Sequence, residues 1–228
     1  MSTTSQLGLL FAAGGSSRRF GGGSKLFAQF RQAPLFIHAL KNLCRPEIPA
    51  VLVVAADTEN DIREELVRHG LEYVQIVRGG SSRSESVCNG LQALCALPNP
   101  PQYIAIHDAA RPLATYKLLM ACLENLQDAD GSIAAHPVTD TIHCTDAAGR
   151  LLSTPPRSQL WAAETPQLFR TATLLRAFNE LPWRTSPPTD EAALVAALPG
   201  TVVRMTPNTD YNPKVTFQDD LRRLEQML

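Results

Sequence analysis

Arg18, Arg19 and Lys25 stand close together in a stretch reading AAGGSSRRFGGGSK, residues 12–25, which also holds five glycines and three serines. Glycines let a backbone come close to an anion, and successive N–H groups can form a nest around it. Arginine adds forked donors that suit phosphate oxygens, and lysine adds a mobile point charge. The chemistry this combination could do is to hold a chain of phosphates. The bland alternative is a surface loop with solvated charges. Neither of the two best-known phosphate motifs is present: Lys25 is followed by Leu26 rather than Ser or Thr, and no G-x-G-x-x-G occurs.

Further residues of chemical interest lie downstream. Gly79-Gly80 precedes Arg83 and Ser86 in VRGGSSRSESVCNGL, residues 77–91. By itself this reads as a tight turn entering a helix that carries an exposed serine. Asp108 ends an apolar run and opens D-A-A-R-P with Arg111. A carboxylate there could accept hydrogen bonds from a polyol, and an arginine beside it would keep it ionised; a turn or cap is the local alternative. Thr165 could end a strand before Pro166, and Thr189 could cap a helix. The five histidines, at 38, 69, 107, 136 and 143, show neither metal-ligand spacing nor a nucleophile–base pair.

The elements that must position these residues follow from hydrophobic periodicity. Apolar runs at 7–13, 50–56, 73–77, 103–107, 132–138 and 201–205 predict strands, several apolar enough to be covered on both faces. Helical patterns at 34–44, 58–69, 84–97, 115–127, 171–181 and 190–198 separate them. Asp57 or Thr58 is expected to cap the second helix, and Thr216, with Asp219 as partner, a last one. The alternation predicts an α/β fold: one doubly wound, mostly parallel sheet with helices on both faces, in a single domain over residues 1–228. The anion loop then leaves the carboxyl end of the first strand, where open sheets bind ligands. At 140–154 the pattern breaks into two short β-like stretches around Asp-Ala-Ala-Gly, with Gly149 suited to positive φ. This inserted hairpin either folds back on its own domain or is covered by a second subunit.

Composition narrows the partners. The formal net charge is −1, so no global field draws the chain to nucleic acid or an anionic membrane. Mean hydropathy is −0.09 and no apolar run is long enough to span a bilayer. The N-terminus lacks the positive n-region of a signal peptide. Five cysteines, an odd number without C-x-x-C, argue against disulfides or zinc and fit the reducing cytoplasm.

The pattern A-A-G-x-x-x-R with a lysine further on resembles the signature loop of nucleotidyltransferases that activate sugar phosphates. VRGGSSRSESVCNGL, IHDAARP (106–112), PVTDTI (137–142), TPQLF…TDEA (165–169 and 189–192) and NPKVTFQDDL (212–221) are similar, in that order, to the 2-C-methyl-D-erythritol 4-phosphate cytidylyltransferase family of the non-mevalonate isoprenoid pathway. The resemblance implies a Rossmann-like nucleotidyltransferase sheet and the transfer of a cytidylyl group from CTP to that polyol phosphate, with release of pyrophosphate. It implies that Arg19, Lys25 and Lys214 act on the phosphates, and that Ala12, Ala13, Gly14, Gly80, Arg83 and Ser86 bind CTP alongside Arg19 and Lys25. Asp108, Arg111, Thr141, Arg157, Thr165, Thr189 and Lys214 would bind the acceptor. Mg²⁺ held mainly by CTP phosphates is implied, as is a homodimer whose arm, residues 137–158, carries Thr141 and Arg157 to the partner's site.

The sequence departs from the family pattern in places. Phe11 stands where proline is usual, Ser16 replaces a glycine, Ser81 replaces an aspartate, and the loop between Arg19 and Lys25 is short and glycine-rich. Such a loop is costly to order, so it is expected to be disordered until CTP closes it. No second enzyme is expected to be fused behind Leu228. The rival activities are a cytidylyltransferase for another polyol phosphate, such as ribitol 5-phosphate, and a non-catalytic nucleotide-binding regulator.

Overall fold

The computed structural model describes residues 6–14, 20 and 24–227. Its strands are β1 (Leu7–Ala12), β2 (Gln29–Phe30), β3 (Ala33–Pro34), β4 (Ala50–Val54), β5 (Gln75–Arg78), β6 (Tyr103–Asp108), β7 (Gly131–Pro137), β8 (Cys144–Thr145), β9 (Leu151–Ser153), β10 (Trp161–Arg170) and β11 (Val203–Pro207). The helices are α1 (Leu35–Leu43), α2 (Glu59–Arg68), α3 (Arg83–Cys95), α4 (Tyr116–Glu124), α5 (Thr171–Glu180), α6 (Glu191–Ala196) and α7 (Gln218–Met227).

Seven strands form one sheet in the order β11-β7-β10-β6-β1-β4-β5. Every pairing is parallel except those of β10, which runs antiparallel to both β6 and β7. Side chains alternate along β1: Leu7, Leu9 and Phe11 enter a core shared with α1, α2 and α4, while Leu10 enters a second core shared with α3, α5 and α6. That two-sided burial is why β1 and β4 read as continuous apolar runs. Leu224 of α7 packs into a third cluster with Phe30, Leu35, Ala110 and Val215.

The sequence reading missed β10. Pro166 lies inside it, and proline inside a strand argues against pairing. The pairing with β7 slips register between Ala163 and Gln167, and this irregularity accommodates Pro166. Thr165 is therefore within a strand, not at the end of one, and its peptide bond to Pro166 is cis. The β2–β3 hairpin was also missed; its turn residues Arg31 and Gln32 take φ of 44° and 68° without the glycine or asparagine that would have signalled it.

Three cap expectations are corrected. Thr58 sits at the start of α2, but its hydroxyl donates back to Ala55 O at 3.0 Å and makes no cap bond. Asp190, not Thr189, caps α6, accepting from Ala193 N at 2.8 Å. Before α7, the Asp220 carboxylate accepts from the backbone N–H of Thr216 and Phe217, each at 2.8 Å, whereas Asp219 pairs with Arg222. The inserted hairpin is present as β8 and β9, with Gly149 at φ +78° and Asp146 Oδ1 accepting from Ala148 N and Arg150 N at 2.9 Å.

Candidate active site

β1 has neighbours on both sides, and the chain reverses its direction of travel across the sheet there, the place where open α/β sheets hold ligands. Beyond the strand ends lies a cavity of about 440 Å³. One wall is backbone: Ala12, Ala13 and Gly14 continue β1, with Ala13 N donating to Val53 O at 2.9 Å. The facing wall is the turn into α3. Gly79 N donates to Val54 O at 2.8 Å, and a Cβ at Gly79 would stand 2.8 Å from Ser86 Oγ, so only glycine fits without displacement. A Cβ at Gly80 would run into the Glu85 side chain.

Ser86 is buried rather than an exposed helical serine; its hydroxyl donates to Ser82 O at 2.8 Å and accepts from Gly80 N at 3.1 Å. Ser82 Oγ caps α3 by accepting from Glu85 N at 3.1 Å, and Glu85 Oε2 accepts from Ser81 N and Ser81 Oγ at 2.7 Å. This arrangement fixes the first turn of α3 against the cavity. Ser81 thus spends its side chain on Glu85. Lys25 lines the same cavity and its Nζ donates to Val215 O at 3.2 Å. Arg19 lies outside the described residues, as does most of the glycine-rich loop whose ordering was expected to depend on CTP.

A second, smaller cavity of about 180 Å³ adjoins the first and shares Arg83, Asp108 and Lys214 with it. Arg111, Thr165 and Thr189 also line it. Asp108 is the electrostatic centre. Its Oδ2 accepts from Lys214 Nζ at 2.8 Å, while Arg83 Nη2 and Arg111 Nε each lie 3.8 Å from the carboxylate. Burial pushes the Asp108 carboxyl up, but Lys214, then Arg83 and Arg111, outweigh it and hold its pKa at about 2. The result is an ionised carboxylate at the junction of the two cavities.

Sequence reasoning missed three buried groups that hold this junction together. Glu191, in the first turn of α6, grips Arg83 Nη1 with both oxygens at 2.7 and 2.8 Å. Burial works against the Arg83 charge, yet Glu191 and then Asp108 raise its pKa. His107 Nε2 donates to Arg111 O at 3.0 Å, which makes Nδ1 the acceptor for the Thr165 hydroxyl at 2.9 Å. Thr165 Oγ1 in turn accepts from Asp108 N at 3.1 Å. Burial lowers the His107 pKa to about 4, so the ring is neutral at pH 7. Glu164 is the third. Its only signal was its place beside Thr165 in a segment read as broken by proline. Glu191 had a weak signal in T-D-E-A, where Thr189 drew the capping role.

Two expected site residues are not brought to this junction within one chain. Thr141 is exposed at the start of the β8–β9 arm, and Arg157 donates to Thr139 O at 3.1 Å at its base. Ile142, Leu151 and Leu152 leave apolar surface exposed along the arm, Leu152 at 68 %.

A family model described as 2-C-methyl-D-erythritol 4-phosphate cytidylyltransferase matches residues 7–228. The protein of that name from Nitrosomonas eutropha is 37 % identical over 227 residues, covering 97 % of this chain and 96 % of the relative. That from Symbiobacterium thermophilum is 36 % identical, covering 96 % and 92 %. The crystal structure of the Thermus thermophilus protein of the same name superposes with a TM-score of 0.75 at 25 % identity, covering 96 % of this chain and 97 % of that one.

Proposed function

The chain belongs to the 2-C-methyl-D-erythritol 4-phosphate cytidylyltransferase family, and from that premise we propose that it transfers a cytidylyl group from CTP to 2-C-methyl-D-erythritol 4-phosphate in isoprenoid precursor synthesis, releasing pyrophosphate. The observation that carries this is the pair of adjoining cavities with Arg83, Asp108 and Lys214 as their common wall. Two phosphate-bearing molecules must meet at such a wall for one to attack the other.

In this reading the cytosine lies against Gly80, Arg83 and Ser86, and the triphosphate runs along Ala12–Gly14 toward Lys25 and Arg19. The acceptor lies over Asp108, Arg111, Thr165 and Thr189, its hydroxyls donating to the Asp108 carboxylate. Its phosphate is already largely ionised at neutral pH, since the second pKa is near 6. No general base is needed to make it a nucleophile. Negative charge then grows on the α-phosphate and the departing pyrophosphate, and fixed cations that stabilise it supply the rate. Lys214 sits where both phosphates would meet, oriented by Asp108.

A divalent ion, Mg²⁺, belongs to the proposal. Among the described residues no group of three or more His, Cys, Asp or Glu could hold a metal, and the larger cavity offers one carboxylate, Asp108. That fits an ion carried in by the triphosphate and water, which Mg²⁺ favours. Its chemistry there would be partial neutralisation of the phosphate charge. Homodimerisation is supported by the exposed apolar arm and by Thr141 and Arg157 lining neither cavity of their own chain; a partner's arm would complete each site. No helix among the described residues is long and apolar enough to cross a membrane, and five free thiols support a cytoplasmic setting.

The test is pyrophosphate release from CTP and Mg²⁺, with methylerythritol phosphate and ribitol 5-phosphate assayed in parallel. Release with methylerythritol phosphate is expected, and specific activity should fall as the enzyme is diluted below its dimer affinity. Release with ribitol phosphate alone would replace the acceptor, and CTP binding without release would point to a regulator.

A further inference from the structure

Glu164 has no part in the reaction described above, yet its surroundings are built around it. Its side chain is 6 % exposed and accepts three hydrogen bonds. Oε1 accepts from His136 Nδ1 at 2.8 Å; Oε2 accepts from Asn208 Nδ2 and Asn212 Nδ2, each at 2.8 Å. Both asparagines belong to the loop that leaves β11 and carries Lys214. Asn208 closes the first turn of that loop, donating to Asp210 O at 3.0 Å and accepting from Asp210 N at 3.1 Å. Asn212 donates to Thr165 O at 2.9 Å, and its own carbonyl accepts from Arg111 Nη1 at 2.7 Å. Two residues further on, Lys214 meets Asp108.

The irregularity in β10 explains how one carboxylate reaches this loop. Strand residues normally alternate between faces. Where the register slips, consecutive Glu164 and Thr165 are both buried, at 5 % and 3 % exposure. Thr165 turns to His107 and the Asp108 N–H; Glu164 turns to the Asn208–Asn212 loop. One bulge therefore fixes both sides of the junction.

We infer that Glu164 is a positioning residue: it ties the 208–214 loop so that Lys214, and the carbonyl that holds Arg111, stand at Asp108. The kinetic consequence rests on the cytidylyltransferase reading; the placement of Lys214 does not. Glu164→Ala should lower kcat at least about 30-fold, while the CTP Kd by calorimetry stays within about threefold. None of the groups bonded to Glu164 belongs to the Ala12–Gly14 or Gly80–Ser86 wall. On a Lys214→Ala background the further kcat loss should be below about threefold, because groups acting through one another are not additive. Glu164→Gln should recover kcat to within about fivefold, since its amide oxygen can serve both asparagines and its NH₂ can donate to the other His136 tautomer.

A readout without turnover separates the inference from the reaction assignment. The chain has four lysines, so the ¹³C-dimethylated Lys214 resonance can be assigned by its loss in Lys214→Ala. It should move in Glu164→Ala toward its position in Asp108→Asn, and stay in place in Glu164→Gln. That movement in a protein that releases no pyrophosphate would sink the reaction and keep the positioning role. An unmoved resonance, an unchanged kcat, or equal losses on both backgrounds would overturn the inference. Should Glu164→Ala not fold, Asn208→Ala removes one tether and must show the same pattern at smaller size.

Discussion

On the nucleotide side of the cleft, Gly79, Gly80, Ser82, Glu85 and Ser86 come from one short stretch and bond mainly to one another. On the acceptor side, Asp108 of β6, Glu164 and Thr165 of β10, Glu191 of α6 and Lys214 of the loop after β11 bond across the whole fold. The first wall is made of backbone and small side chains, whose dipoles need no counter-charge. The second is built around buried carboxylates, Asp108, Glu164 and Glu191, each of which would be costly without its partners. A local turn can be altered with local consequences. The charge junction should fail as a unit, and this difference can be measured.

The largest effect is expected at Lys214. Removing one preorganised charge-stabilising donor costs about 3–4 kcal/mol in transition-state stabilisation. Lys214→Ala also leaves Asp108 without the cation that lies closest to it. Pyrophosphate-release kinetics should show kcat/KM for the acceptor falling by about 10² to 10³. If CTP affinity fell by as much as acceptor turnover, the two walls would not be separable and the contrast would be broken.

The buried junction should also carry a pH signature of its own. His107 is neutral in the fold with a pKa of about 4, against an ordinary value of 6.5. A base whose folded pKa is depressed contributes stability above its unfolded pKa. That stability is lost as pH falls, because the unfolded chain binds the proton first. The window runs from about 6.5 down to about 4, and the loss over it is about 3 kcal/mol at 1.36 kcal/mol per pKa unit. Asp108, held at about 2, loses its share only below its ordinary value of 3.8. Denaturant titrations from pH 7 to pH 4 should show a shallower slope in His107→Asn than in wild type, with a remainder from His38, which burial also lowers; an unchanged slope in the variant would mean that His107 does not titrate there.

The same contrast decides what was legible beforehand. The turn into α3 could be read because its parts are adjacent in sequence, but Ser86, expected to be exposed, is buried, and only motif resemblance marked the stretch as a nucleotide wall. The alternating strands and helices could be read because both faces of β1 and β4 are covered. β10 could not, because Pro166 inside it counts against a strand until the slipped register on β7 is seen. With β10 went the meaning of Glu164, whose partners His136, Asn208 and Asn212 are 28, 44 and 48 residues away. Glu191 and Arg83, 108 residues apart, show the same limit: nothing local to either tells that they meet. Motif resemblance located Asp108 and Lys214 without their geometry, so their 2.8 Å bond to each other, rather than to solvent, emerged only from the fold.

The smallest effect offers the sharpest test, since it compares like with like. Ser82 caps α3 at the cavity, and Thr115 caps α4 away from it, each side chain accepting from an N–H three residues on at 3.1 Å. Losing such a cap costs typically about 1 kcal/mol of stability. Ser82→Ala and Thr115→Ala should therefore lower unfolding free energy by similar amounts in urea. Only Ser82 also supplies the carbonyl that the Ser86 hydroxyl bonds, and that hydroxyl holds Gly80 N. Loosening this turn should raise the CTP KM several-fold in Ser82→Ala while leaving acceptor KM in place, and Thr115→Ala should change neither. Equal CTP KM values in the two variants would mean that the α3 turn does not need its cap to meet the nucleotide. A rise in acceptor KM in Ser82→Ala would mean that the turn is coupled through Arg83, the first residue of α3, to Glu191 and Asp108, so that the wall built locally answers to the one built from distant charges.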